Sequence, residues 1–225
     1  LAPKMVAERA ALYVADPINL TASFTYPATS LISYLFQRAP GQFYEWQCLA
    51  GLDILFLACI APAAALPRKN WAGAVLVFAA GFLLPFFFSV VPAGTPSTIY
   101  ANAMADTPLA LLFGGTLCLY AAAGGRKTGF FACAMPLAVL TMTKDIGFAY
   151  ALIAAFLIGL DQLFGTPHPD TKPARIFGVS LAKCSILAAV VLAVFISWNR
   201  YTAAVTPTET TGASVGSAGL SYGAV

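Results

Sequence analysis

Long apolar runs separated by short polar punctuation dominate the chain, and each can be measured against the about 20 mostly apolar residues that a spanning helix needs. Such runs cover residues 45 to 66, 71 to 92, 106 to 123, 128 to 143, 146 to 163 and 176 to 197. The fourth and fifth form one tract broken only at Lys144, Asp145 and Gly147. A single helix over that tract would reach about 54 Å at about 1.5 Å per residue, well beyond a hydrocarbon core of about 30 Å. The tract must fold back, with the charged pair at a hairpin turn, and about six spans are expected.

Two shorter patterns precede the first run. "KMVAERAALYV", residues 4 to 14, sets Met5, Ala7, Ala11 and Leu12 among Lys4, Glu8 and Arg9 at helical spacing. "YPATSLISYLFQRA", residues 26 to 39, follows Pro27 with an apolar run and ends in Arg38 before Pro40, the boundary signals of a helix. Both read as helices in the interface plane. After Trp198 the chain turns to Thr, Ser, Gly and Ala, as in an external loop or disordered tail. The expected organisation is an external first loop (1–44), a transmembrane bundle (45–197) and an external loop or tail (198–225). The fold class is all-α, a polytopic transmembrane helix bundle with two interfacial juxtamembrane helices.

Composition agrees with the pattern. Hydrophobic residues make up 60% and charged residues 9%, against about 25% charged in soluble domains. The lipid bilayer is the expected surrounding. A net charge of +3, spread in pairs, lacks the basic, aromatic-interleaved patch of a nucleic-acid binder, so no nucleic-acid partner is expected. The five cysteines lie in apolar runs without ligand-like spacing and read as free buried thiols. No fixed-period repeat points to a solenoid. The early residues lack a signal-peptide pattern, and the sequence reads as beginning part way into a longer protein.

Loop charges orient the bundle. Arg68 and Lys69, Arg126 and Lys127, and Lys172 and Arg175 fall on one side if six spans alternate, and the positive-inside rule makes that side cytoplasmic. Asp106, the Lys144 turn, Tyr26, Arg38 and Glu45 then share the outer face. Charges in or at the edge of a membrane cost about 2.5 to 3.5 kcal/mol each at a helix centre, so each asks for a reason. Asp106, before Thr107 and Pro108, has the composition of a helix start. Lys144 and Asp145 fit either a snorkelling turn or a ligand site. Asp53 suits an interhelical hydrogen bond or a proton relay, Lys183 a snorkelling cation, and His168 a solvated loop.

A lysine at a membrane edge offers a point charge to phosphate. Carboxylates accept hydrogen bonds from sugar hydroxyls, and aromatics pack on sugar rings or polyprenyl chains. The same set would suit a transporter vestibule.

The order of "KMVAERAALY", "FTYPATSLISYLFQRAPGQFYEW", "YANAMADTPLALLF", "LAVLTMTKDIGFAYALIAAFLIGLD" and "FISW" resembles the bacterial branch of the GT-C class of polytopic glycosyltransferases, which includes the protein mannosyltransferase and aminoarabinose transferase groups. The resemblance implies transfer of a sugar from a polyprenyl-phosphate-linked donor to a glycan, lipid or protein acceptor, with inversion, at the outer face of the bacterial inner membrane. It implies juxtamembrane helices over the active site, shaped by Tyr26 and Pro27, with Asp106 facing the external cavity and Lys144 meeting the lipid-linked phosphate. Arg38 and Asp145 complete the expected substrate-binding set. The catalytic acid of the class belongs to a first-loop motif that neither Glu8 nor Asp16 matches, and it is expected upstream of Leu1. A fragment without it would be inactive alone. No cofactor is expected beyond a divalent metal, which some relatives use. The competing readings are a secondary transporter or flippase-like protein and a non-catalytic scaffold.

Overall fold

The computed structural model describes residues 27–37, 44–67, 70–87, 106–124, 127–164 and 173–205. Among them the chain is helical, with no strand. The helices are α1 (Ala28–Gln37), α2 (Glu45–Ala64), α3 (Trp71–Phe87), α4 (Asp106–Ala122), α5 (Lys127–Ala132), α6 (Ala134–Thr141), α7 (Gly147–Phe164) and α8 (Pro173–Val205). The expected helix at 4–14 and the tail from 206 lie outside the described residues.

Among the described residues, three helices are long and apolar enough to cross a membrane: Trp46–Ala64, Gly147–Phe164 and Phe177–Ala204. The expected six are therefore not reached. α3 and α4 have 17 residues each, about 25 Å of helix against about 30 Å of hydrocarbon. The fourth expected span is broken into α5 and α6, of 6 and 8 residues. Pro136 supplies the reason, because it has no N–H to offer the carbonyl of Ala132, where the break occurs. α8 departs in the other direction. Its 33 residues continue past Ser197, the expected end of the last span, and its last turns carry Trp198 stacked on Tyr201 at 5.4 Å. Paired aromatics near a helix end suit a membrane interface.

The foldback is observed. α6 ends at Thr141, α7 begins at Gly147, and the two helices pack together. α2 packs on α1, α3 and α4, while α6 packs on α4, α7 and α8, so α4 joins the two groups. Short α6 is central, with Cys133 before it and its own Leu137 and Leu140 fully buried. The buried stripe of α7, Gly147, Ala151, Ala154, Ala155, Ile158, Gly159 and Gln162, recurs at helical spacing. Small residues there let backbones approach, as packing between membrane helices requires in the absence of a hydrophobic drive between them. Outward faces are apolar too: Leu76, Phe156 and Phe177 are 70%, 57% and 54% exposed. Extended apolar exposure suits a hydrocarbon surrounding.

α1 is anchored to α2 by polar bonds. Buried Gln37 accepts from the Tyr44 N–H at 2.9 Å, and its amide donates to the Tyr44 carbonyl and to Cys48 Sγ. Ser33 Oγ donates to the Cys48 carbonyl at 3.4 Å. All five cysteines are free thiols.

Candidate functional site

The α6–α7 turn is built by its own hydroxyls and backbone. Thr141 Oγ1 donates to the Leu137 carbonyl and Thr143 Oγ1 to the Val139 carbonyl, each at 2.8 Å, supplying donors to carbonyls near the end of α6. The Gly147 N–H donates to the Lys144 carbonyl at 2.8 Å and starts α7. The start of α1 docks here as well, since the Ala28 N–H donates to the Met142 carbonyl at 2.9 Å and Pro27 is buried. The turn backbone is thus tied to α1, α6 and α7.

From this fixed turn Lys144 reaches across to the first residue of α4, and its Nζ donates to Asp106 Oδ1. The lysine's ion-pair partner is Asp106 and not the adjacent Asp145, which is exposed. Thirty-eight positions apart in sequence, Asp106 and Lys144 meet because α4 and α7 begin at the same end of the bundle. The side chains of Lys144 and Asp106 are 44% and 66% exposed. An exposed pair of this kind contributes about 0.2 to 1 kcal/mol. Tyr26 and Arg38 lie outside the described residues, and Glu45 is described only by its backbone.

Beside the turn runs an apolar groove of about 370 Å³ between α1, the turn and α8, lined by Pro27, Leu31, Met142, Val194, Trp198 and Tyr201. Its volume lies within the range of small-molecule sites. Met142 belongs to the groove and Lys144 follows two residues later. The turn that carries the cation thus also contributes a wall of the apolar groove, and the two together are the complement of an amphiphile with an anionic head.

A second polar arrangement occupies the opposite ends of α4 and α7. Lys183 Nζ donates to Gln162 Oε1 at 2.5 Å, Gln162 Nε2 donates to the Tyr120 hydroxyl, and that hydroxyl donates to Asp161 Oδ2 at 2.8 Å. The ammonium also stands over the Phe130 ring, 5.9 Å from its centroid. Cation and carboxylate are thus linked through two neutral groups, all donating in one direction, an arrangement in which each bond polarises the next. The Lys183 head, expected to snorkel, meets Gln162 near the end of helix α7. Tyr120 and Gln162 escaped the sequence reading; the signal present was the Asp161–Gln162 pair at the end of an apolar run, with Lys183 across the hairpin.

Asp53, read from sequence as an interhelical hydrogen-bonding residue or a proton relay, lies within α2. Its Oδ1 is buried and has no hydrogen-bond partner, so no interhelical bond is made through that oxygen. No known family model, characterised protein or solved structure matches the chain. The family resemblance rests on the quoted motifs.

Proposed function

We propose that the chain is part of a multi-pass glycosyltransferase of the bacterial inner membrane, of GT-C type, which moves a sugar from a polyprenyl-phosphate donor to an acceptor at the outer face. The observation that carries this reading is that one turn holds both Lys144, the ion-pair partner of Asp106, and Met142, which lines the apolar groove two residues earlier. The groove takes the start of the prenyl chain, and the lysine takes the phosphate. In this topology the Lys144 turn faces outward, the loops holding Arg68, Arg126 and Lys172 face the cytoplasm, and the shorter apolar helices cross alongside the three long ones with local adjustment of bilayer thickness.

The chemistry gives the lysine a defined task. In the donor the phosphate is a diester with one negative charge. The acceptor oxygen attacks the anomeric carbon, the bond from that carbon to the phosphate oxygen breaks, and polyprenyl phosphate leaves as a monoester with a second negative charge. A fixed ammonium is attracted more strongly as that charge develops, which is the form of interaction that accelerates a step. Deprotonation of the acceptor falls to the carboxylate that the resemblance assigns to the first external loop. Asp106 and Asp145 stand near enough in sequence or space to Lys144 to contact the sugar hydroxyls.

A transporter would draw instead on Asp53, whose unpartnered carboxylate oxygen lies within a candidate span. Photolabelling separates the sites. A diazirine-bearing prenyl phosphate is expected to label peptides holding Met142 and Trp198, with protection by unlabelled polyprenyl phosphate. A second apolar groove lies between α7 and α8, lined by Phe156, Leu160, Phe177 and Leu181, and label confined to it would overturn the assignment.

A further inference from the structure

We infer that Asp106 is a built-in competitor for Lys144: it holds the ammonium before a lipid phosphate arrives and takes it back when the phosphate leaves. This inference rests on the proposed donor chemistry and adds to it a regulating residue. Its basis is that the lysine is already engaged by a carboxylate.

Three observations make the exchange a matter of two side chains. The turn backbone is held by Thr143 Oγ1 on the Val139 carbonyl, by the Gly147 N–H on the Lys144 carbonyl and by the Ala28 N–H on the Met142 carbonyl. Lys144 can therefore change partner without moving the turn. Both members of the pair are substantially exposed, so separating them uncovers no buried charge. Asp106 also opens α4, and a carboxylate at a helix N-terminus is stabilised by the dipole and the unpaired N–H groups there. Once released, the acid still has a favourable place.

The direction of exchange follows from charge. A phosphate monoester carries nearly two negative charges and three strong acceptor oxygens, against one charge on a carboxylate. The arriving diester carries one charge, as the carboxylate does, and shares the lysine with it, whereas the monoester formed on transfer displaces Asp106 from a weak pair. On departure of the lipid, the acid recaptures the lysine and lowers the affinity for the spent carrier.

The test is calorimetric titration of farnesyl phosphate into the full-length protein in neutral detergent. Wild type is compared with Asp106→Asn, Lys144→Ala and the double variant. Asparagine preserves the helix start, and circular dichroism checks that helix content is unchanged. Asp106→Asn is expected to bind tighter by up to about fivefold, the ceiling set by removing a solvent-screened competitor. Lys144→Ala and the double variant should lose binding alike. Unchanged or weaker binding by Asp106→Asn, with binding still dependent on Lys144, would overturn the competitor role alone. Binding that survives Lys144→Ala, or that inorganic phosphate matches at equal concentration, would overturn the lipid-phosphate reading beneath it.

Discussion

Lys144→Ala in the full-length protein is expected to lower transfer from a polyprenyl-phosphate sugar by about 10²- to 10³-fold, the usual effect of losing one electrostatic donor aimed at developing charge. Alanine removes the cation from a turn whose backbone is otherwise held by Thr141, Thr143 and Gly147. Stability should therefore change by no more than about 1 kcal/mol, because the lost pair with Asp106 is exposed. Lys144→Arg keeps the charge and should recover part of the rate. Transfer and thermal unfolding, measured on the same preparations, separate the two effects. An unaltered rate in the alanine variant would remove the lysine from the chemistry.

The second large effect concerns the turn itself. A Cβ on Gly147 would lie 2.2 Å from the Leu140 carbonyl oxygen and 3.3 Å from its carbon. The obstacle is backbone, and Leu140 is fully buried in the centre of the core, so no flexible side chain can swing aside. Overpacking commonly costs about 1 to 3 kcal/mol, and a backbone clash at a helix start belongs at or above the upper figure. Gly147→Ala should lower the unfolding temperature sharply or prevent assembly of the hairpin. Gly114 is the control within the same protein, since a Cβ there meets nothing within 4 Å. At that position alanine should be neutral or stabilising by up to about 1 kcal/mol through helix propensity. Equal behaviour of the two variants in thermal unfolding would contradict the close packing of α6 on α7.

The foldback between α6 and α7 was legible in the sequence because length alone forbids a single helix over residues 128 to 163. The meeting of Asp106 with Lys144 was half legible. Both charges precede apolar runs that begin at the same end, but their lateral contact depends on how α4 and α7 pack. Span count was less accessible. Hydropathy marks where a segment is apolar, whereas Pro136 decides that the segment before the turn divides into two short helices. The course of α8 to Val205 was hidden because polar residues after Trp198 resemble a loop while remaining compatible with helix.

The chain from Lys183 to Asp161 was the least legible part. In helices whose exposed and buried faces are both apolar, hydrophobic periodicity does not reveal which side turns inward. Gln162 shares the buried face of α7 with Ala155, Ile158 and Gly159, and only the packed structure assigns its partners. Asp53 shows the converse limit, because a mid-helix carboxylate suggests a bond that its Oδ1 does not make.

Transfer and uptake, compared side by side, address the central claim most directly. Full-length protein in proteoliposomes is supplied with a radiolabelled polyprenyl-phosphate sugar and a mixture of envelope acceptors. The proposed function predicts that label leaves the polyprenyl carrier and becomes covalently attached to an acceptor, with loss of that attachment in Lys144→Ala. Label that remains on the carrier while the carrier crosses the bilayer, or free sugar that accumulates in the lumen without glycosidic transfer, would contradict it.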